Sequence, residues 1–263
     1  MTILRVGAIQ FRPLLGDLEA NRKKIVHFLE EAHRYEIDLV VLPELANSGY
    51  NFSSRKEALE ASEVIPGGPT VGILEKSAAE YNMYIVCGIN ELDGGNLYNS
   101  AVIVGPSGYI GKYRKVHLFM REKDIFERGD RYYVFDIGRA RVGIMICFDW
   151  IFPEAARSLM LQGAEVIAHP VNLVLPYWQR MSPLRALENR VYIVSANRVG
   201  IEGDLSFTGQ SIIVSPKGEI VAMASRTHEE IIYADIDLRE ARDKNITPRN
   251  NIVEDRIPSA YTL

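Results

Sequence analysis

The stretch Arg141-Val142-Gly143-Ile144-Met145-Ile146-Cys147-Phe148-Asp149-Trp150-Ile151-Phe152-Pro153-Glu154 changes character halfway along. Its first half is a short apolar run ending in a thiol, the pattern of a buried strand. Its second half opens a helix, with Pro153 suited to an early helical position, Glu154 in the first turn and Gly163 as the stop. A cysteine at the end of a strand and just ahead of a helix N-terminus is expected to feel the positive end of the helix dipole, which favours thiolate over thiol. The plainer reading is a small apolar residue closing a buried strand.

Working outward, residues 4–11 read as a first strand. Asp17 can cap a helix running to about residue 35, with Leu18, Ile25, Phe28, Leu29 and Ala32 on one face. Residues 37–42 form a continuous apolar run, the kind of strand buried on both faces, and it ends at Pro43-Glu44. Helical segments follow around residues 55–62 and 70–82, then strands at 84–90 and 97–104 on either side of Gly94-Gly95-Asn96. Beyond Cys147 the pattern predicts a strand at 166–169, a helix at 182–189, a strand at 191–197 and a meander over 209–236. Strands and helices alternate and hairpins follow, so the class is α/β with mixed sheets.

The chain also resembles itself. Arg5-Val6-Gly7 and Arg141-Val142-Gly143 each open a strand, followed by a helix and an apolar strand ending in proline, Pro43 or Pro170. Each half then supplies a hairpin of one pattern, Gly105-Pro106-Ser107-Gly108 and Ser215-Pro216-Lys217-Gly218. Two similar halves, sheets face to face and helices outside, make a four-layer αββα sandwich with internal pseudo-symmetry. The whole chain, residues 1–263, is then expected to be one domain. In that arrangement Glu44, Cys147 and Asn172 all lie at strand ends on one rim, where open α/β sheets place their chemistry.

Composition narrows the function. Of 263 residues 47% are hydrophobic and 24% charged, ordinary for a globular protein, and the net charge of −4 argues against nucleic acid as a partner. No apolar run reaches bilayer length, and Arg5 and Arg12 interrupt any signal-peptide pattern, so no membrane partner and a cytoplasmic location are expected. Two cysteines, Cys87 and Cys147, make no disulfide framework. The five histidines lack ligand spacing and no glycine-rich phosphate loop occurs, so neither a metal nor another cofactor is expected.

Several side chains could carry chemistry. Glu44 follows the apolar run directly, and a carboxylate held at a buried rim can act as a general base. In Gly111-Lys112-Tyr113-Arg114-Lys115-Val116-His117, alternation puts Lys115 opposite Arg114, so one of them can point inward. An inward lysine needs a carboxylate, and Glu44 and Glu122 are available. His117 is either a partner for the cysteine or a structural hydrogen-bonder. His169 reads as packed and satisfied, and Cys87 as core.

Pro43-Glu44, Arg114-Lys115-Val116-His117-Leu118-Phe119 with Glu122, and Cys147-Phe148-Asp149 with Phe152-Pro153-Glu154 resemble the three signature segments of the nitrilase superfamily of carbon–nitrogen hydrolases. The resemblance extends over Leu97-Tyr98-Asn99-Ser100, Arg185-Ala186-Leu187-Glu188-Asn189-Arg190 and Gly209-Gln210-Ser211, and is nearest to compact archaeal-type nitrilases and nitrilase-like amidases. It implies an αββα sandwich and commonly a homodimer joined through the helices after the cysteine. It also implies Cys147 as nucleophile, Glu44 as general base, Lys115 with the Phe148 N–H stabilising developing charge, and Glu122 orienting Lys115 and substrate. Tyr50, Phe119, Trp150, Asn172 and Trp178 are expected to line the pocket, and residues 249–263 to cross to a partner subunit.

These residues predict hydrolysis of a small aliphatic amide or nitrile through a cysteine thioester, with release of ammonia and a carboxylic acid. Phe148-Asp149 in place of the Trp-Glu of many dedicated nitrilases, and a short chain, tilt the expectation toward amides. Trp150-Ile151-Phe152 stands where carbamoylases carry basic residues, which disfavours carbamoyl acids but leaves carbamoyl amides open as substrates. Two different functions are also compatible with the sequence. One is an acyltransferase that passes the acyl group from the same thioester to an amine, and the other is a non-catalytic partner-binding scaffold.

Overall fold

A computed structural model describes residues 2–262. In chain order the elements are β1 (Ile3–Gln10), α1 (Leu18–Arg34), β2 (Leu39–Val41), α2 (Arg55–Glu60), α3 (Pro69–Tyr81), β3 (Tyr84–Asp93), β4 (Asn96–Gly105) and β5 (Gly108–Arg114). Then come α4 (Glu122–Ile125), β6 (Val134–Asp136), β7 (Arg141–Ile144), α5 (Pro153–Leu161), β8 (Val166–Pro170), α6 (Trp178–Asn189) and β9 (Tyr192–Ala196). The chain closes with β10 (Ile201–Glu202), β11 (Leu205–Ser206), β12 (Ile212–Val214), β13 (Ile220–Met223), β14 (Glu230–Asp237), α7 (Leu238–Arg242), β15 (Asn245–Thr247) and β16 (Asn250–Asn251).

Two six-stranded mixed sheets carry the fold, in the orders β14-β1-β2-β3-β4-β5 and β13-β12-β9-β8-β7-β6. In the first, β1, β2 and β3 run parallel and β4 and β5 follow antiparallel. In the second, β7, β8 and β9 are parallel and β12 and β13 follow antiparallel. The internal repeat is therefore a repeat of topology. It reaches the hairpins, where Gly108 and Gly218 both take positive φ and each ladder slips register beside the turn, at Ile103/Val104 and Ile213/Val214.

The period-2 geometry of a strand explains the unbroken apolar run in β2. Leu39 and Val41 face the second sheet, in a core with Val6, Ala8, Val142, Ile144 and Val194. Val40 and Leu42 face the other way, packing with Ile25 and Leu29 of α1 and Leu74 of α3. Asp17 caps α1 by accepting from the Ala20 N–H at 3.0 Å.

Three expectations change. The meander does not stay in one sheet: β12 and β13 pair as a hairpin, but β14 crosses to the other sheet and pairs with β1 over eight residues. The outer edge of β1 needs a partner for its N–H and C=O groups, and the Gln10 amide holds the crossing by donating to Ser225 and His228 carbonyls. Helix α6 begins at Trp178, earlier than the periodicity suggests, and carries Pro183 inside it. Finally, Cys147 does not close a strand. Strand β7 ends at Ile144, and Cys147 opens a five-residue 3-10 turn through Ile151.

Candidate active site

Cys147 has φ +38°, left-handed backbone that costs a non-glycine residue energy unless its surroundings enforce it. Two buried side chains do so. Asp149 accepts from the Ile146 N–H at 2.9 Å, closing the turn beneath the cysteine, and from the Tyr113 hydroxyl at 2.7 Å. His169 Nε2 lies 3.1 Å from the Cys147 carbonyl and its Nδ1 lies 3.0 Å from Ser195 Oγ. A carbonyl only accepts, so Nε2 carries the proton. Ser195, which accepts from Trp178 Nε1 at 2.9 Å, then donates to Nδ1. Burial lowers His169 from 6.5 to about 3, which keeps this donor chain neutral and directed.

Cys147 is buried, with 6% of the residue exposed. Burial first, and then the Glu44 carboxylate, push it well above the ordinary thiol range, while Lys115 and the Asn172 backbone N–H pull the other way. The dipole-stabilised thiolate expected from sequence is therefore corrected. Helix α5 starts only at Pro153, and the intervening short turn offers too little aligned dipole to offset desolvation.

Glu44 sits just past β2 and is fully buried. Its Oε1 accepts from Lys115 Nζ and from Asn99 Nδ2, both at 2.7 Å. Its Oε2 is buried with no hydrogen-bond partner among the described residues. Lys115, just past β5 and also fully buried, reaches Glu122 Oε1 at 2.7 Å as well. Burial disfavours its ammonium, but Glu122 and Glu44 together outweigh that and hold it charged. Burial raises Glu122, against the opposing pull of Lys115. Tyr50 donates its hydroxyl to Glu122 at 2.7 Å, and the Phe119 N–H reaches the other oxygen at 3.2 Å. Asn172 spans the two halves. Its Nδ2 donates to the Glu44 carbonyl at 2.9 Å, and its backbone N–H favours the Cys147 thiolate.

The fold thus brings Glu44, Lys115, Glu122 and Tyr50 into one hydrogen-bonded cluster. Phe119, Cys147, Phe148, Trp150 and Asn172 line a cavity of about 20 Å³ together with Leu173. A neighbouring cavity of about 60 Å³ shares Phe119 and is lined by Tyr50, Phe52, Glu122, Phe126 and Leu205. Trp178 is not at the pocket. It is fully buried beside His169 and Trp150, with ring centroids 4.6 and 5.8 Å away, because its indole packs into the core and spends its N–H on Ser195.

His117 stands beside Asp149 rather than the sulfur, its Nδ1 2.8 Å from Oδ1, and its ring stacks on Phe152 at 3.7 Å. It is the structural hydrogen-bonder of the two options. Asp149 lies inside a signature segment and Asn99 in the Leu97–Ser100 stretch of the resemblance, yet the sequence alone assigns neither a role. Both are fully buried polar side chains, Asn99 in β4 and Asp149 in the turn after β7, and burial of such a group demands a partner.

Comparison with known proteins agrees with this architecture. The family model for carbon–nitrogen hydrolases matches residues 5–245. A protein named nitrilase from Pyrococcus abyssi is 51% identical over 260 residues, covering 98% of this chain and 99% of that one. A human omega-amidase is 34% identical, covering 91% of each. The crystal structure of Saccharomyces cerevisiae Nit3, described as a member of branch 10 of the nitrilase superfamily, superposes with a TM-score of 0.84 at 29% identity over 92% of both chains. With the family model spanning most of the chain and a relative 51% identical over nearly all of it, the chain belongs to the carbon–nitrogen hydrolase family.

Proposed function

We propose that this protein hydrolyses the C–N bond of a small aliphatic amide or nitrile, with Cys147 as nucleophile, Glu44 as general base and acid, and Lys115 and Glu122 completing the site. The observation that carries this reading is the free Glu44 Oε2. One oxygen of the carboxylate is held by Lys115 and Asn99, and the other is buried without a partner in the neighbourhood of a thiol whose ionisation burial opposes.

In the reaction, Glu44 takes the thiol proton as sulfur attacks the carbonyl carbon. The carbonyl electrons move onto oxygen, where Lys115 Nζ and the Phe148 N–H receive the charge. Collapse of the adduct breaks the C–N bond, Glu44 returns its proton to the nitrogen, and ammonia leaves. Glu44 then deprotonates a water that attacks the thioester, the C–S bond breaks, and the carboxylic acid departs as the proton returns to Cys147. With a nitrile, the first adduct is a thioimidate, which one water converts to the same thioester with loss of ammonia. The small volume at Cys147, walled by Phe119, Phe148, Trp150 and Asn172, supports a compact acyl group.

The same reading includes a homodimer and a cytoplasmic setting. Leu161 of α5 and Leu184 and Leu187 of α6 are exposed apolar side chains on the helices after the cysteine. Both cysteines are free, and no helix among the described residues is long and apolar enough to cross a membrane. The function is tested by ammonia release from matched amides and nitriles, with Cys147→Ala as blank. Release from amides alone makes the protein an amidase, and release from nitriles with free acid makes it a nitrilase. No release from either overturns the hydrolase reading.

A further inference from the structure

We propose that the buried pair Arg198–Glu202 is a positioning device for the catalytic cluster: Glu202 holds the loop that carries Tyr50, and Tyr50 sets Glu122 and Lys115 beside Cys147. The proposal rests on the Glu-Lys-Cys reading above.

The two residues follow β9, in the second half of the chain, whereas the loop they hold belongs to the first. Arg198 is fully buried and Glu202 7% exposed. Arg198 Nη2 lies 2.9 Å from Glu202 Oε2, an ion-pair contact outside hydrogen-bond alignment, and donates to the Pro13 carbonyl at 3.0 Å. Its guanidinium lies 4.1 Å from the centroid of Phe207, whose ring meets Tyr50 edge-on at 6.2 Å. The other Glu202 oxygen accepts two successive backbone N–H groups, from Tyr50 at 2.9 Å and Asn51 at 2.6 Å. Asn51 closes the clamp by donating its side chain to the Glu202 carbonyl at 2.9 Å.

A buried ion pair is weak evidence of stability, because desolvation offsets most of the attraction. Its value is geometric: a carboxylate fixed by an arginine fixes whatever it accepts from. Here that is the backbone of Tyr50, whose hydroxyl donates to the same Glu122 oxygen that Lys115 uses. If Tyr50 drifts, Glu122 keeps only the longer Phe119 N–H contact besides Lys115, and the ammonium, still paired with Glu44, loses a fixed second carboxylate to set its position. The ionisable groups acting on Cys147 are Glu44, Lys115, Glu122 and the neutral Tyr50, and Lys115 alone among the charged ones favours the thiolate.

The test is the rate of alkylation of Cys147 by iodoacetamide against pH, which needs no substrate, with Cys147→Ala correcting for Cys87. Glu202→Gln is expected to slow alkylation at pH 7 by about threefold to tenfold and move the inflection to higher pH, as one pKa unit is tenfold in thiolate. Tyr50→Phe is expected to do the same, and Glu202→Gln added to Tyr50→Phe to change the rate by less than about twofold, the signature of one shared pathway. Because Glu202→Gln strands a buried cation and keeps an amide oxygen that the two N–H groups can still use, Arg198→Met with Glu202→Leu serves as a second variant that removes both charges and the acceptor. An unshifted profile in these folded variants, or an equal loss with and without Tyr50, overturns the proposal. A Cys147 that the reagent does not reach in the unsubstituted protein overturns the nucleophile reading itself.

Discussion

Gly88 of β3 lies so close behind Glu44 that a Cβ at residue 88 would fall 2.5 Å from the Glu44 Cα, the Leu45 nitrogen and the Pro43 oxygen alike. All three are backbone atoms, so no rotamer change relieves the clash. The missing side chain of one strand thus sets the height of the carboxylate just past the end of the next.

Gly88→Ala is therefore expected to displace Glu44 and to lower stability by about 1–3 kcal/mol, the usual cost of overpacking a filled core. Thermal unfolding and Cys147 alkylation measured on the same variant check this. An unchanged melting temperature with unchanged alkylation contradicts it.

Asp149 is expected to matter through the backbone and not through substrate. Asp149→Ala leaves the Ile146 N–H and the Tyr113 hydroxyl without their acceptor, each orphaned donor costing about 1–3 kcal/mol. Urea unfolding should show the loss, and Cys147, its turn loosened, should alkylate with an altered pH profile. A variant as stable as the parent would remove Asp149 from its role.

His169 should make the fold acid-sensitive. Its folded value is lowered from 6.5 to about 3 by burial, so the unfolded chain binds a proton that the folded one does not between those limits. The contribution is fully present above pH 6.5 and is lost as pH falls toward 3, by up to about 1.4 kcal/mol per pH unit. His169→Gln keeps a donor for the Cys147 carbonyl without titrating. Its unfolding free energy should fall less steeply from pH 6.5 to pH 4 than that of the parent, and parallel curves would contradict the assignment.

Residues 249–263 are proposed to reach a partner subunit. Val253, Ile257 and Tyr261 are exposed apolar side chains in this stretch, and Ile246 stands beside it on β15. Deleting 249–263 should turn a dimer into a monomer by light scattering, and a dimer that survives the deletion refutes the contact.

Much of the architecture is legible in the amino-acid order. Leu39-Val40-Val41-Leu42 has no polar residue on either side of the pleat, so only a strand covered on both faces accommodates it, and the two Arg-Val-Gly openings with their Pro-x-Gly hairpins announce two like halves. Glu44 and Asn172 are legible as strand-end residues because each closely follows such a run. Lys115 is legible only as one of two possibilities, since alternation says that one of Arg114 and Lys115 points inward and not which.

Tertiary structure decides what local pattern cannot. The left-handed turn at Cys147 depends on Asp149 below it and on His169, 22 residues away, above it, and no short window around the cysteine contains both. The choice of Lys115 over Arg114 depends on carboxylates from other elements: Glu44 and Glu122 receive the lysine inside, while Glu91 and Asp93 receive the arginine at the edge. The departure of β14 from its meander depends on an unpaired edge of β1, at the opposite end of the chain. Sequence period specifies which faces of an element are apolar. Which charges meet, and whether a thiol lies among them, is a property of long-range contacts, because burial and neighbouring charge set the chemistry and both come from residues distant in the chain.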